Sequence, residues 1–195
     1  MCIDLMGTLV TREEIDDKKC LKSEDYILFQ NTQARNEVCC RKKRLKIACY
    51  CNKTLYRIKP YAREFLESTK QFFEMICYSD LSSGETELIL KHLERNRKKK
   101  FHMVIFETNV RFPLQYSNQW VFNILEMLVN RKPQSVFFMS RNVNNLCVAM
   151  ISGCCIVPIP ASQGSLEYEL QLAENYLMAN RSSPNPFLKN QEDFK

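Results

Sequence analysis

The sequence predicts an α/β fold: a mostly parallel central sheet flanked by helices, with a small insertion after the first strand. Two patterns carry this expectation. Short, continuously apolar runs recur along the chain, and between several of them lie longer stretches with apolar residues at helical spacing. Strands that are apolar on both faces and alternate with amphipathic helices belong to a sheet covered on both sides, which is the parallel arrangement. Size is the third consideration. At 195 residues and 45% hydrophobic content, the chain suffices for one compact domain burying roughly 70% of its unfolded surface. We expect that domain over residues 1–180, with its insertion at about 11–56 and a polar tail at 181–195.

In chain order, the first strand covers 1–5, where an apolar run is broken only by Asp4. Residues 11–56 are charged at first and then carry "YILFQ" and "LKIACYCNKTLYRIKP", in which "CNKT" is read as a hairpin turn before Pro60. Further strands are expected at 45–50, 73–79, 103–107, 135–140 and 154–159. Helical patterns fall at 61–73, 83–96, 118–130, 142–152 and 165–180, the second opened by the start signal "SSGE". Trp120, Phe122 and Leu125 follow helical spacing and are read as core.

Composition excludes several classes. No apolar stretch approaches the roughly 20 residues of a membrane span, and no repeat or low-complexity tract is present. Residue 1 already falls in a strand pattern, which leaves no room for a cleavable signal or transit peptide as written. Ten scattered cysteines, several inside apolar runs, point to a reducing intracellular compartment, with nucleus, cytoplasm and mitochondrion open. Cys39, Cys40, Cys49 and Cys51 lack the Cys-x-x-Cys bite of a zinc site, so zinc is not favoured. The net charge of +6 is concentrated in "RKKRLK" (41–46) and "RNRKKK" (95–100), read as a solvated face or loop, with a nuclear address or an acidic partner as alternatives. These clusters lack interleaved aromatics, which argues against nucleic acid. His92 and His102 lie in or beside a basic stretch and receive no catalytic role.

In an open α/β sheet, ligands bind at the carboxyl ends of the strands beside the topological switch point. Asp4, Ser79 and Ser140 fall at such ends. A carboxylate buried there costs several kcal/mol unless hydrogen bonds, a cation or a function hold it. Purely structural roles are the alternative: Asp4 caps its turn or pairs with Arg141, Thr8 bonds backbone in that turn, and Ser79 caps the helix near Ser82 and Ser83.

The order "DLMGTLV", "IKPYAREFLESTKQFFEMICYSD", "MVIFETN", "SVFFMSRN" and "GCCIVPIP" resembles the small C-terminal-domain phosphatase (NLI-interacting-factor) branch of the haloacid dehalogenase superfamily, over residues 1 to about 180. In active members, as the resemblance implies, an Asp-x-Asp-x-Thr motif carries nucleophile and general acid, a Ser/Thr binds phosphate, a Lys neutralises it and late acidic residues hold magnesium. Asp4 matches the nucleophile, Thr8 the closing threonine and Ser79 the phosphate-binding hydroxyl. Met6 stands at the general-acid position, and a thioether transfers no proton. The Lys position falls near Phe122; no lysine occurs between Lys100 and Lys132, so only Arg111 is available to substitute. The late acidic position falls at Ser140, with Arg141 beside it, and no Asp or Glu occurs between Glu126 and Glu167.

These departures make Asp4 a remnant of a nucleophile. The expected function is a non-catalytic module on a Ser/Thr phosphatase fold (a pseudophosphatase) that binds a protein or phosphopeptide through candidates Thr8, Ser79, Arg111 and Arg141, with no metal or cofactor. The presequence receptors of the mitochondrial inner-membrane translocase are loosely similar at "DLMGTLV", "YSDLSSGET" and "NPFLKNQEDF", although the positive net charge is unsuited to basic presequences. The alternative is an active phosphoprotein phosphatase working through Asp4, for which magnesium is then required.

Overall fold

The structure is a computed structural model that describes residues 1–13, 26–35, 48–94, 99–106, 111–113, 120–122, 130–151, 153–157, 159 and 168–182. Its strands are β1 (Cys2–Asp4), β2 (Val10–Glu13), β3 (Tyr26–Arg35), β4 (Ala48–Ile58), β5 (Ile76–Ser79), β6 (Met103–Phe106), β7 (Arg111–Pro113), β8 (Trp120–Phe122), β9 (Phe137–Met139) and β10 (Cys155–Val157). The helices are α1 (Ala62–Thr69), α2 (Ser83–Leu93), α3 (Val143–Ile151) and α4 (Glu169–Asn180).

Five strands form the central sheet in the order β10–β9–β1–β5–β6, every pairing parallel. The chain leaves β1 to build β5 and β6 on one side, then returns to build β9 and β10 on the other. The switch point therefore lies at β1, and the crevice beyond its carboxyl end is where such sheets bind ligands. Side chains alternate between two buried clusters. Ile3, Cys77, Phe137 and Met139 face one, with Phe65, Leu66, Ile89, Leu170, Ala173 and Leu177 from α1, α2 and α4. Cys2, Ile76, Tyr78 and Phe138 face the other, with Ala149 from α3. This period of two is why these strands read as unbroken apolar runs.

Helix α1 buries Ala62, Phe65, Leu66 and Thr69, one stripe at i, i+3, i+4 and i+7. Helix α2 begins at an N-cap, Ser82, whose hydroxyl accepts from the Glu85 N–H while the Glu85 carboxylate accepts from the Ser82 N–H. Ser82→Ala is expected to lower stability by about 1 kcal/mol in a urea melt, the usual worth of such a cap.

Three expectations are corrected. Within the helix expected at 118–130, Trp120–Phe122 form a strand instead, paired antiparallel with β7, as suits aromatic and β-branched residues; positions 118–119 and 123–129 lie outside the described residues. Leu125 lies outside the described residues. "CNKT" does not turn: β4 runs through it, with Asn52 opposite Asn31 and Thr54 opposite Phe29, and the stretch has no glycine to supply the positive φ of a tight hairpin. The insertion is a three-stranded sheet, β2–β4–β3. Within the basic run at 95–100, Lys100 is buried rather than solvated, donating to the Arg63 carbonyl at 3.2 Å and pairing with Glu67 at 3.0 Å.

Among the described residues no helix is long and apolar enough to cross a membrane. Cys2, Cys77, Cys154 and Cys155 are buried free thiols, and burial pushes Cys154 up to about 11 and Cys155 up to about 12. Such thiols pack as small hydrophobes. Cys49 and Cys51 lie on β4; Cys39 and Cys40 are outside the described residues.

Candidate functional site

Parallel pairing of β1 with both β5 and β9 brings Asp4, Ser79 and Ser140 to one end of the sheet. Strand parity then separates them. Asp4 and Ser140 follow the alternation of Cys2 and Phe138, toward α3, whereas Ser79 follows Cys77, toward α2.

Asp4 is 3% exposed. Its Oδ2 accepts from Ser140 Oγ at 2.6 Å and from Asn145 Nδ2, on the first turn of α3, at 3.2 Å. Ser140 Oγ accepts in turn from the Asn142 N–H at 2.9 Å, which directs the hydroxyl proton at Asp4. Burial raises the Asp4 carboxyl to about 6, against the lowering effect of the Ser140 and Asn145 bonds; the Asp80 charge raises it further and a Met6 N–H bond lowers it. Asp4 thus spends part of its time protonated near neutrality. The suggested pairing with Arg141 does not occur.

The turn after β1 is closed by backbone bonds, Gly7 N–H to Val10 O at 2.8 Å and Leu9 N–H to Leu5 O at 3.1 Å. Gly7 sits at φ 74°, a region that disfavours any side chain. Met6 is half-buried and packs against the core, and its thioether has no proton to donate. Thr8 is fully buried, yet its hydroxyl has no hydrogen-bond partner among the described residues, which corrects the expectation that it bonds backbone. Ser79 does not cap α2. Its hydroxyl shares a hydrogen bond with Thr86 Oγ1 at 2.8 Å and accepts from the Leu81 N–H at 3.2 Å, while Ser82 holds the cap.

Three residues beside Gly7 form a charge cluster. Lys59 donates to the Gly7 carbonyl and pairs with Glu169 at 3.3 Å, both side chains 1% exposed. Glu169 also accepts from Arg141, whose side chain is 33% exposed. Burial and the Arg141 charge pull the Lys59 ammonium below its usual range, while Glu169 pushes it back up. Lys59 is aimed by a constrained loop: Pro60 follows it, and Tyr61 begins α1 at φ 64°, uncommon for a bulky residue. The Tyr61 hydroxyl fastens that loop to Glu174 of α4 at 2.7 Å. Arg111 stands directly opposite Phe122 in the β7–β8 ribbon, so the two sequence candidates for the lysine position are register partners.

Asn145, Lys59 and Glu169 are the site residues that sequence reading missed. Asn145 lies among three asparagines that look like helix-start polarity, and Lys59 reads as the residue before a proline. Glu169 had one signal: it sits on the buried stripe of α4 with Leu170, Ala173 and Leu177.

Magnesium, implied by the resemblance for active relatives, takes octahedral oxygen ligation. Asp4 Oδ2 is engaged by two donors, a guanidinium follows Ser140, and among the described residues no group of three His, Cys, Asp or Glu is placed to hold an ion. These residues do not fit it.

No curated protein matches the sequence. Among solved structures, that of Fcp1, an essential RNA polymerase II CTD phosphatase, superposes with a TM-score of 0.52 at 13% identity, covering 98% of this chain and 52% of that one. The chain spans about half the length of that structure, and the likeness is one of fold. A family model described as NLI interacting factor-like phosphatase matches residues 1–149, from β1 into α3, and so contains Asp4, Ser79, Ser140 and Asn145. With the motif order and the switch-point geometry on the same segment, the chain belongs to the NLI interacting factor-like phosphatase family.

Proposed function

We propose that the protein is a non-catalytic protein-binding module on a Ser/Thr phosphatase fold. The observation that carries this reading is the state of Asp4. Nucleophilic attack needs an ionised carboxylate with a free lone pair, and departure of the alcohol needs a proton donor. Two donors already engage Asp4 Oδ2, and Met6 has no proton to give. Loss of a general acid alone removes about two to four orders of magnitude of rate. The module needs no magnesium in this reading, and its partner is a protein or phosphopeptide. A presequence receptor is a narrower form of it, resting on three short stretches of sequence.

The test is turnover of p-nitrophenyl phosphate with and without millimolar magnesium. Parent and Asp4→Asn are expected to be indistinguishable from buffer, and Met6→Asp alone is expected to restore nothing, because Ser140 still stands at the late acidic position. Parental turnover that disappears in Asp4→Asn would establish the alternative, a phosphatase acting through Asp4.

A further inference from the structure

The amino ends of the central strands, opposite the end that carries Asp4, enclose a cavity of about 230 Å³. Parallel pairing gathers Met1, Ile76 and Val136 there, each at or just before the start of its strand, and Phe72 and Phe73 close it from the turn that leads into β5. The walls are held in place: Phe137 meets the Phe73 ring edge-on, with 5.7 Å between centroids, and the Met1 amino group donates to the Glu74 carbonyl at 2.6 Å. Glu74, Arg131 and Ser135 add a polar part to the lining. Arg131 pairs with Glu74 while both side chains stay about half exposed. An ion pair at such exposure is worth about 0–1 kcal/mol, so a partner's carboxylate can take Arg131 over at little loss. Phe72 is 51% exposed, and the Arg181 guanidinium lies over its ring, 4.3 Å from the centroid.

A cavity of this size is smaller than the roughly 300–1,000 Å³ of small-molecule sites and suits one large side chain. Single anchors sunk in such pockets dominate binding at protein interfaces. The guanidinium groups of Arg131 and Arg181 favour carboxylates beside the anchor. We propose that this cavity is a docking site for a partner peptide that buries one aromatic or large aliphatic side chain at the amino ends of β1, β5 and β9 and sets flanking Asp or Glu residues against Arg131 and Arg181. Met1 and Asp4 are three strand residues apart, about 10 Å, and docking here is independent of whether Asp4 acts chemically.

Fluorescence anisotropy of short, capped, labelled peptides tests this in the full chain. Paired aspartates flank a central leucine, methionine, phenylalanine or tryptophan; controls carry a central alanine, or lysines in place of the aspartates. At least one anchored acidic peptide is expected to bind about tenfold more tightly than both of its controls. Ser135→Phe, which fills the cavity from an exposed position, is expected to remove that preference. Arg131→Glu with Arg181→Glu, both at the surface, is expected to invert it, so that the lysine-flanked peptide binds better than the acidic one, a gain that a misfolded variant does not produce. Equal binding of anchored and alanine peptides, unchanged binding in Ser135→Phe, or no binding by any peptide of the series overturns the proposal. Stronger binding to vesicles containing phosphatidylserine, retained in Ser135→Phe, overturns it too and makes this face a membrane contact.

Discussion

Asp4→Asn is expected to stabilise the folded chain by about 2 kcal/mol at neutral pH, and to lose that advantage near pH 4. Burial raises the folded Asp4 carboxyl from 3.8 to about 6, so its ionisation at neutral pH opposes folding by about 3 kcal/mol. An asparagine carries no charge, and its side-chain oxygen still accepts from Ser140 and Asn145. We allow about 1 kcal/mol for one hydrogen bond that the amide nitrogen reproduces poorly. The sign follows from proton uptake: the native state binds a proton at higher pH than the unfolded chain does. The parent therefore gains stability as pH falls through about 6, and the gain is complete below the unfolded value. Paired urea melts of parent and variant at pH 7.5 and pH 4 isolate this from other carboxylates. An asparagine variant less stable than the parent at pH 7.5 would mean that the carboxylate has a favourable charge partner.

The second large effect is at Glu169. Glu169→Ala is expected to cost about 3–5 kcal/mol, because it strands the Lys59 ammonium in the interior. Lys59→Met combined with Glu169→Leu is expected to recover more than half of that loss, since an apolar pair of similar volume avoids desolvating two charges. Recovery stays incomplete because the Gly7 carbonyl then lacks its Lys59 donor. Chemical melts of the parent, the single and the double variant give the answer. A cost below about 1 kcal/mol for Glu169→Ala would be the value of an exposed pair and would contradict the burial.

The central sheet was readable because β1, β5, β9 and β10 are buried on both faces, so that each is an apolar run a short window detects. Two reasons account for the misses in secondary structure. Trp120 and Phe122 are spaced two apart, as in a strand, but lie next to a run of helix formers that lends them its period. "CNKT" continues a strand of a three-stranded sheet, with no apolar alternation to mark it. At the site, Asp4, Ser79 and Ser140 were found because each ends an apolar strand. The residues that satisfy Asp4 and neutralise Lys59 were not, because those contacts join positions 141 and 110 apart. A lysine before a proline and a glutamate in a helix look like surface residues until their partner is known.

The order of strands in the sheet has a kinetic consequence. β1, the middle strand, is translated ahead of both neighbours, and the contact that closes it, Ser140 to Asp4, spans 136 positions. Until β9 is synthesised, one edge of β1 has no partner within the central sheet, and two-sided pairing must bear the loop-closure entropy of most of the chain. Such a protein matures late on the ribosome. Truncations that stop after β6 would leave Cys2 and Ile3 on an open, apolar sheet edge, the kind of surface that chaperones cover and that otherwise aggregates.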